Sequence, residues 1–154
     1  FEVLTLLQTG KREMMPLVFL DAPGGAYWHE WLAFIHKQLL AERMISPEDL
    51  ALFKVTDRVD EAMEEILRFY RVFHSLEYVN GRLVLRLQNP LGDERLAAIN
   101  RDFADILNDG EFRQETSILG ELPKPELAHL SRLTFHFNRR SLGRLRMLID
   151  TINA

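Results

Sequence analysis

Apolar and polar positions change their period several times along this chain, and each change marks an element. In residues 1–9, Val3, Leu4, Leu6 and Leu7 form one helical face, while Glu2, Thr5 and Gln8 or Thr9 recur on another. Gly10 is expected to stop that helix. The continuous apolar run Pro16-Leu17-Val18-Phe19-Leu20 predicts a central strand of a parallel sheet, covered on both faces. From Tyr27 to Arg43 the residues Trp28, Trp31, Leu32, Ile35, Leu39 and Leu40 repeat at three and four, the pattern of an amphipathic helix. Ser46 as N-cap, Pro47 at the first helical position and Glu48-Asp49 in the first turn start a short helix. Phe53 to Thr56 reads as a second strand. A helix is expected from Asp57 to about Phe73, with Val59, Ala62, Met63, Ile66, Leu67 and Tyr70 inward.

Beyond Phe73 the pattern shortens to β-type alternation. Leu76–Val79 and Arg82–Leu87 flank Asn80-Gly81, whose residues accept the two positive φ angles of a type I′ hairpin turn. Arg82, Val84 and Arg86 are expected on a wet face and Leu83, Leu85 and Leu87 on a dry one. A helix from Asp93 to Leu107 is expected to turn Leu96, Ile99, Asn100, Phe103 and Ile106 or Leu107 inward and to end at Asn108-Asp109-Gly110. A mixed strand at Phe112–Leu119, a loop at Gly120–Pro125, a strand at Leu130–Phe137 and a helix from Ser141 to about Ile152 complete the chain. In that last strand Leu133, Phe135 and Phe137 alternate against Arg132, Thr134 and His136. The tail therefore reads as a ββαββα unit, after a first part whose element order is the end of a doubly wound α/β domain.

Composition narrows the functional classes. A chain of 154 residues, 47% apolar, can bury a sizeable core. It has no apolar run long enough for a membrane span and no signal-peptide pattern, and a cytoplasmic location is the expectation. The absence of cysteine excludes disulfides, thiolate nucleophiles and Cys-ligated zinc. The net charge of −4 is unevenly spread: residues 57–65 are acidic, whereas Arg132, Arg139, Arg140, Arg144 and Arg146 sit in a stretch with no acid. With His136 these arginines form the densest positive region, so Arg132, Arg140 and Arg144 are candidates for an effector or phosphate site. A solvated face or a set of intersubunit salt bridges is the favoured explanation of them, and the acidic balance argues against a nucleic-acid partner. Arg71, His74 and Ser75 form a second polar cluster, at the junction of the two parts.

Three tempting sites weaken on inspection. Pro23-Gly24-Gly25 follows a parallel strand, where ligands bind, yet Ala26-Tyr27-Trp28 is not a phosphate-loop continuation, and a plain strand-to-helix turn accounts for it too. His29 and His36 share a helix face but lie about 10 Å apart, too far to chelate one ion, so no metal is expected. The acids Asp57, Asp60, Glu61, Glu64 and Glu65 crowd a helix N-terminus, where the helix dipole and solvation explain them.

The motif Glu2-Val3-x-Thr5-x-x-Gln8-x-Gly10, with Pro16-Leu17-Val18-Phe19-Leu20-Asp21 and Ile45-Ser46-Pro47, resembles the second half of the LOG ("Lonely Guy") family, long labelled lysine decarboxylase-like. That family consists of Rossmann-like phosphoribohydrolases acting on nucleoside 5′-monophosphates. The resemblance implies a C-terminal Rossmann half over residues 1–73 and an appended α+β module over 74–154. The first helix opens without a cap, which fits the C-terminal part of something larger. In the family the matching helix follows the phosphate-binding motif P-G-G-x-G-T-x-x-E, so the catalytic Glu is expected upstream of Phe1, with no catalytic residue in this chain. The resemblance points to Glu2, Thr5, Gln8, Gly25 and Tyr27 as substrate-lining residues, to no cofactor, and to a homodimer with its site near the interface. Leu6 stands where plant members tend to have Trp, and Met14-Met15 replaces a more polar lead into the strand, which leaves the substrate base open. A nucleotide-sensing or oligomerisation module is the competing reading. Literal lysine decarboxylation normally uses pyridoxal phosphate on a lysine, and none of Lys11, Lys37, Lys54 and Lys124 sits in a recognisable cofactor context.

Overall fold

A computed structural model describes residues 1–122 and 124–154. Its elements are α1 (Glu2–Gln8), β1 (Val18–Leu20), α2 (Tyr27–Phe34), a 3₁₀ helix (Pro47–Leu52), β2 (Lys54–Thr56), α3 (Val59–Phe69), β3 (Phe73–Val79), β4 (Arg82–Leu87), α4 (Asp93–Asp102), β5 (Leu107–Glu115), β6 (Ser131–Phe137) and α5 (Leu142–Asn153). The chain is α/β. A parallel pair, β1–β2, is joined through α2, and a four-stranded antiparallel sheet of order β3-β4-β6-β5 carries α4 and α5 in a ββαββα sequence.

Local chemistry accounts for several element ends. Gly10 takes φ +67° and its N–H donates to the Leu7 carbonyl, closing α1. Ser46 and Asp49 form a reciprocal capping box with Pro47 at the first position, and the Ser46 N–H donates to Asp49 Oδ2 at 2.9 Å. Asn80 and Gly81 take φ +50° and +83°, giving the β3–β4 turn its expected form. The expected loop Gly120–Pro125 includes Pro123, which lies outside the described residues.

The main core lies between the four-stranded sheet and its helices. Leu83, Leu85, Leu87, Leu133, Phe135 and Phe137 meet Ile99 of α4, Phe103 at its C-cap, and Leu145, Leu148, Ile149 and Ile152 of α5. Met14, Leu52, Phe69 and Phe73 belong to the same buried cluster, so apolar packing runs across residue 73 without a break. The end of α5 adds polar ties. Asn153, fully buried, donates to the Phe69 carbonyl at 2.6 Å and accepts from the N–H groups of Val72 (2.8 Å) and Phe73 (3.0 Å). Arg71 of the junction cluster donates to the Asn153 carbonyl, and His74 meets the Ser75 hydroxyl at 2.9 Å. Near its start α5 crosses the 3₁₀ helix so closely that a Cβ on Gly143 would stand 2.8 Å from the Asp49 backbone nitrogen. Only glycine fits there.

Several expectations are corrected. The strand at 16–20 is shorter, and Leu20 is exposed, because β1 pairs with β2 alone among the described residues. The helix at 27–43 is α-helical only to Phe34 and widens into a π-helical turn over Ile35–Leu40. The helix expected to reach Phe73 ends at Phe69, and its face is rotated: Ala62, Glu65 and Phe69 are inward, while Val59, Met63, Ile66, Leu67 and Tyr70 are exposed. A two-stranded sheet is too narrow to cover that stripe, and Glu65 turns instead toward Arg146 of α5. Glu65 is thus buried rather than solvated with the other acids. The helix expected to Leu107 ends at Asp102 in a 3₁₀ turn, and Asn108-Asp109-Gly110 lie within the irregular edge strand β5.

The wet face expected for β4 is covered. Val84 packs with Val79 and Ile118, and Arg86 and Arg132 are directly opposed on β4 and β6. Two like charges facing each other across a sheet are unfavourable. Glu121, from the segment that crosses this face, lies between them, accepting from Arg86 Nε and from Arg132 Nε at 3.0 Å each. Burial alone raises the Glu121 carboxyl, but the hydrogen bonds from the two guanidinium groups outweigh it and hold the carboxyl below its ordinary value.

Candidate functional site

The carboxyl ends of β1 and β2 open side by side, the edge at which α/β sheets hold ligands. Asp21 continues the ladder, its N–H donating to the Thr56 carbonyl at 2.9 Å. Its carboxylate folds the next loop back on itself, accepting from the Ala22 N–H at 2.9 Å and the Trp28 N–H at 3.2 Å. The Gly25 N–H donates to the Ala22 carbonyl at 2.7 Å, and a Cβ on Gly25 would stand 2.8 Å from that oxygen. Gly24, at φ +74°, donates its N–H to Asp57 Oδ2 at 2.9 Å, so the acid after β2 clasps the loop after β1. This clasp leaves Tyr27 at the loop's exit, 69% exposed and edge-on to Trp28 with centroids 4.9 Å apart.

Aromatic packing links that turn to α1. Trp28 and Trp31 lie over Phe19 with centroids at 4.6 and 4.8 Å, and Phe1 meets Trp31 at 5.6 Å. The first turn of α1 is therefore held against α2, on the helix that carries Tyr27 one turn before Trp31. Glu2 is exposed in that turn. Thr5 and Gln8 line a cleft of about 70 Å³ with Leu4, Ile35, Leu39 and Asp49. Gln8 donates to Asp49 Oδ2 at 2.7 Å, which fastens α1 to the capped 3₁₀ helix. Beyond it, an open groove of about 610 Å³ runs past Gln8, Arg43 and Ser46.

Of the five candidate substrate-lining residues, the structure brings Thr5 and Gln8 to one cleft, Glu2 to the preceding turn, and Gly25 and Tyr27 to the carboxyl edge of β1. Asp21 and Asp57, which organise that edge, were not among the candidate site residues: the sequence placed Asp21 only at the end of the apolar motif and assigned Asp57 to a helix N-terminus. The signal for Asp21 was its place after the apolar run; Asp57 carried none, since its partner is far along the chain.

The candidate arginines of the tail are dispersed. Arg132 lies on the outer face of β6, bonded to Glu121 and to the carbonyls of Thr116, Leu127, Ala128 and Leu130. Arg144 is on α5, across the sheet, donating to Asp105 Oδ1 at 2.7 Å and to the Asp102 carbonyl at 2.6 Å, with its guanidinium over Phe103. Arg140 is exposed before α5. No group of three or more His, Asp or Glu suited to a metal ion occurs among the described residues, and no helix among them is long and apolar enough to cross a membrane.

Neither the curated proteins nor the solved structures contain a match to this chain. Residues 1–66, which span α1, the β1–α2–β2 unit and most of α3, match the sequence model of the family described as "Possible lysine decarboxylase".

Proposed function

We propose that residues 1–73 form the base- and ribose-facing half of a nucleoside 5′-monophosphate phosphoribohydrolase, which cleaves the N-glycosidic bond to release free base and ribose 5-phosphate. The observation that carries this reading is the family match over residues 1–66, which falls on the segment holding the clasped glycine turn at the carboxyl edge of β1. In this reading the glycine motif that cradles the 5′-phosphate, and the catalytic Glu, come from sequence preceding Phe1. Helix N-terminal amides would hold the phosphate. A carboxylate near the anomeric carbon would stabilise an oxocarbenium-like transition state during attack by water. Glu2 and Thr5 contact ribose or base from α1, Gly25 and Tyr27 close the far side, and Gln8 positions α1 through Asp49.

The exposed stripe Val59, Met63, Ile66, Leu67 and Tyr70 supports a further part of the reading, in which α3 is covered in a homodimer. Decarboxylation of lysine has no support in the side chains described above.

The test is chromatographic detection of free base after incubating the full natural polypeptide with AMP, GMP, CMP and UMP. Glu2→Ala and Tyr27→Ala are expected to lower kcat/KM at least about tenfold, roughly 1.4 kcal/mol of transition-state stabilisation. Arg140→Ala should leave it unchanged. Absence of base release from all four nucleotides, or unaltered kinetics in both site variants, overturns the proposal.

A further inference from the structure

The loop after α1 faces the tail across a cleft of about 290 Å³, at the amino-terminal end of β1 and so opposite the edge that carries Gly25 and Tyr27. Its floor is apolar, made by Met14, Leu83, Leu142 and Leu145, all buried. Lys11 and Arg12 stand on one wall and Tyr78 on the other, with the Arg139 guanidinium 4.2 Å above the Tyr78 ring. Among the described residues none of Lys11, Arg12 and Arg139 is paired with a carboxylate. Two acids also line the cleft. Glu77 is occupied by Arg86 and by Lys124, and Glu13 is exposed.

The walls are held in place. The N–H groups of Lys11 and Arg12 both donate to the Leu6 carbonyl, at 2.9 and 3.1 Å. Opposite them, Asn138 Oδ1 accepts from the N–H groups of Arg140 (2.9 Å) and Ser141 (3.0 Å), which fixes Arg139 in a left-handed conformation at φ +59°.

An apolar floor with a few convergent polar groups at its rim is the make-up of a small-molecule site, and the volume of about 290 Å³ falls just short of the ordinary range of roughly 300–1,000 Å³, in a cleft that is open to solvent. The rim is cationic, so the ligand is an anion. Its apolar part must be flat, because it lies between the sheet edge and α5 and against the stacked pair of Tyr78 and Arg139. We infer that this cleft binds a nucleoside di- or triphosphate as an effector, the base on the apolar floor and the phosphates between Lys11, Arg12 and Arg139. Because the site joins the loop after α1 to the β3–β4 hairpin and α5, its ligand ties the tail to the helix that carries Glu2, Thr5 and Gln8.

The test is calorimetric titration of the full natural polypeptide with ADP and ATP, with pyrophosphate as the probe lacking a base. The variants are the double substitution Lys11→Gln/Arg12→Gln and, separately, Arg139→Asn, since Asn accepts the left-handed backbone. Saturable binding of ADP or ATP is expected, weakened about tenfold or more in each variant and for pyrophosphate. Tyr27→Ala, which alters the proposed substrate edge, should leave this binding intact, so failure here and failure of the nucleosidase reading are distinguishable. The inference is overturned by absence of saturable binding up to roughly 1 mM, an affinity of about −4 kcal/mol. Equal affinity for pyrophosphate, binding that survives both cation variants, or binding lost in Tyr27→Ala also overturns it.

Discussion

Replacing Glu65 by Ala tests how α5 is fastened to α3. Arg146 and Glu65 form an ion pair with side chains only 3% and 5% exposed, the Arg146 guanidinium lying 4.9 Å from the Phe69 ring centroid. Arg146 Nε also donates to Asp150 Oδ1 at 3.0 Å, and its Nη1 has no hydrogen-bond partner among the described residues. Glu65→Ala therefore leaves a buried cation with one charged acceptor. Breaking a buried pair in this way costs about 3–5 kcal/mol, a large part of the roughly 5–15 kcal/mol that holds a domain folded. With a urea m-value of about 2 kcal/mol/M, the unfolding midpoint should fall by about 1.5–2.5 M. The pair itself is incompletely satisfied, so its replacement by apolar side chains, Glu65→Leu/Arg146→Met, should recover most of that loss. Urea titration followed by far-UV circular dichroism measures all the variants. A midpoint shift under about 0.5 M for Glu65→Ala, or a double variant as unstable as the sum of its singles, would refute the reasoning.

Other consequences can be checked on the same protein. Gly143→Ala places a Cβ against the backbone of Glu48 and Asp49, so α5 must move off the 3₁₀ helix; a loss of about 2 kcal/mol or more is expected by urea titration, and an unchanged midpoint would contradict the close approach. The depressed Glu121 carboxyl contributes stability that is complete above the ordinary glutamate value of 4.5 and is lost as pH falls through its lower folded value. Hydrogen-exchange protection factors at residues 116–122, corrected for the intrinsic slowing of exchange in acid, should therefore fall on acidification in the natural protein, and Glu121→Gln should show low protection already at pH 7; equal protection for the two at pH 7 would sink this. Asn153→Ala strands the N–H groups of Val72 and Phe73 and the Phe69 carbonyl in the core, and is expected to cost about 2–4 kcal/mol in the same titration.

What the sequence made legible was the chemistry of neighbours. Asn80-Gly81, the Ser46–Asp49 cap and the Gly10 stop each depend on residues within one turn, and each stands where expected. The inward set Leu133, Phe135 and Phe137 was readable because a strand side has a fixed period of two. The face of α3 was not, because its partner, Arg146, lies on the last helix and turns Glu65 inward against the apolar stripe. Burial of Arg86 and Arg132 likewise depends on a carboxylate delivered by a distant loop, and β5 begins early because an edge strand absorbs Asn108-Asp109-Gly110 as irregularities. At the candidate site the glycine turn was visible in Pro23-Gly24-Gly25. The clasp that shapes it joins Asp57 to Gly24 across two strands, and no local pattern carries that.

The central claim, that residues 1–73 serve a nucleotide phosphoribohydrolase, is tested most directly by following AMP in the presence of the full natural polypeptide. The account predicts adenine and ribose 5-phosphate in equal amounts, at a rate that falls with Tyr27→Ala. Intact AMP after prolonged incubation, with the other three nucleotides also unchanged, would contradict it.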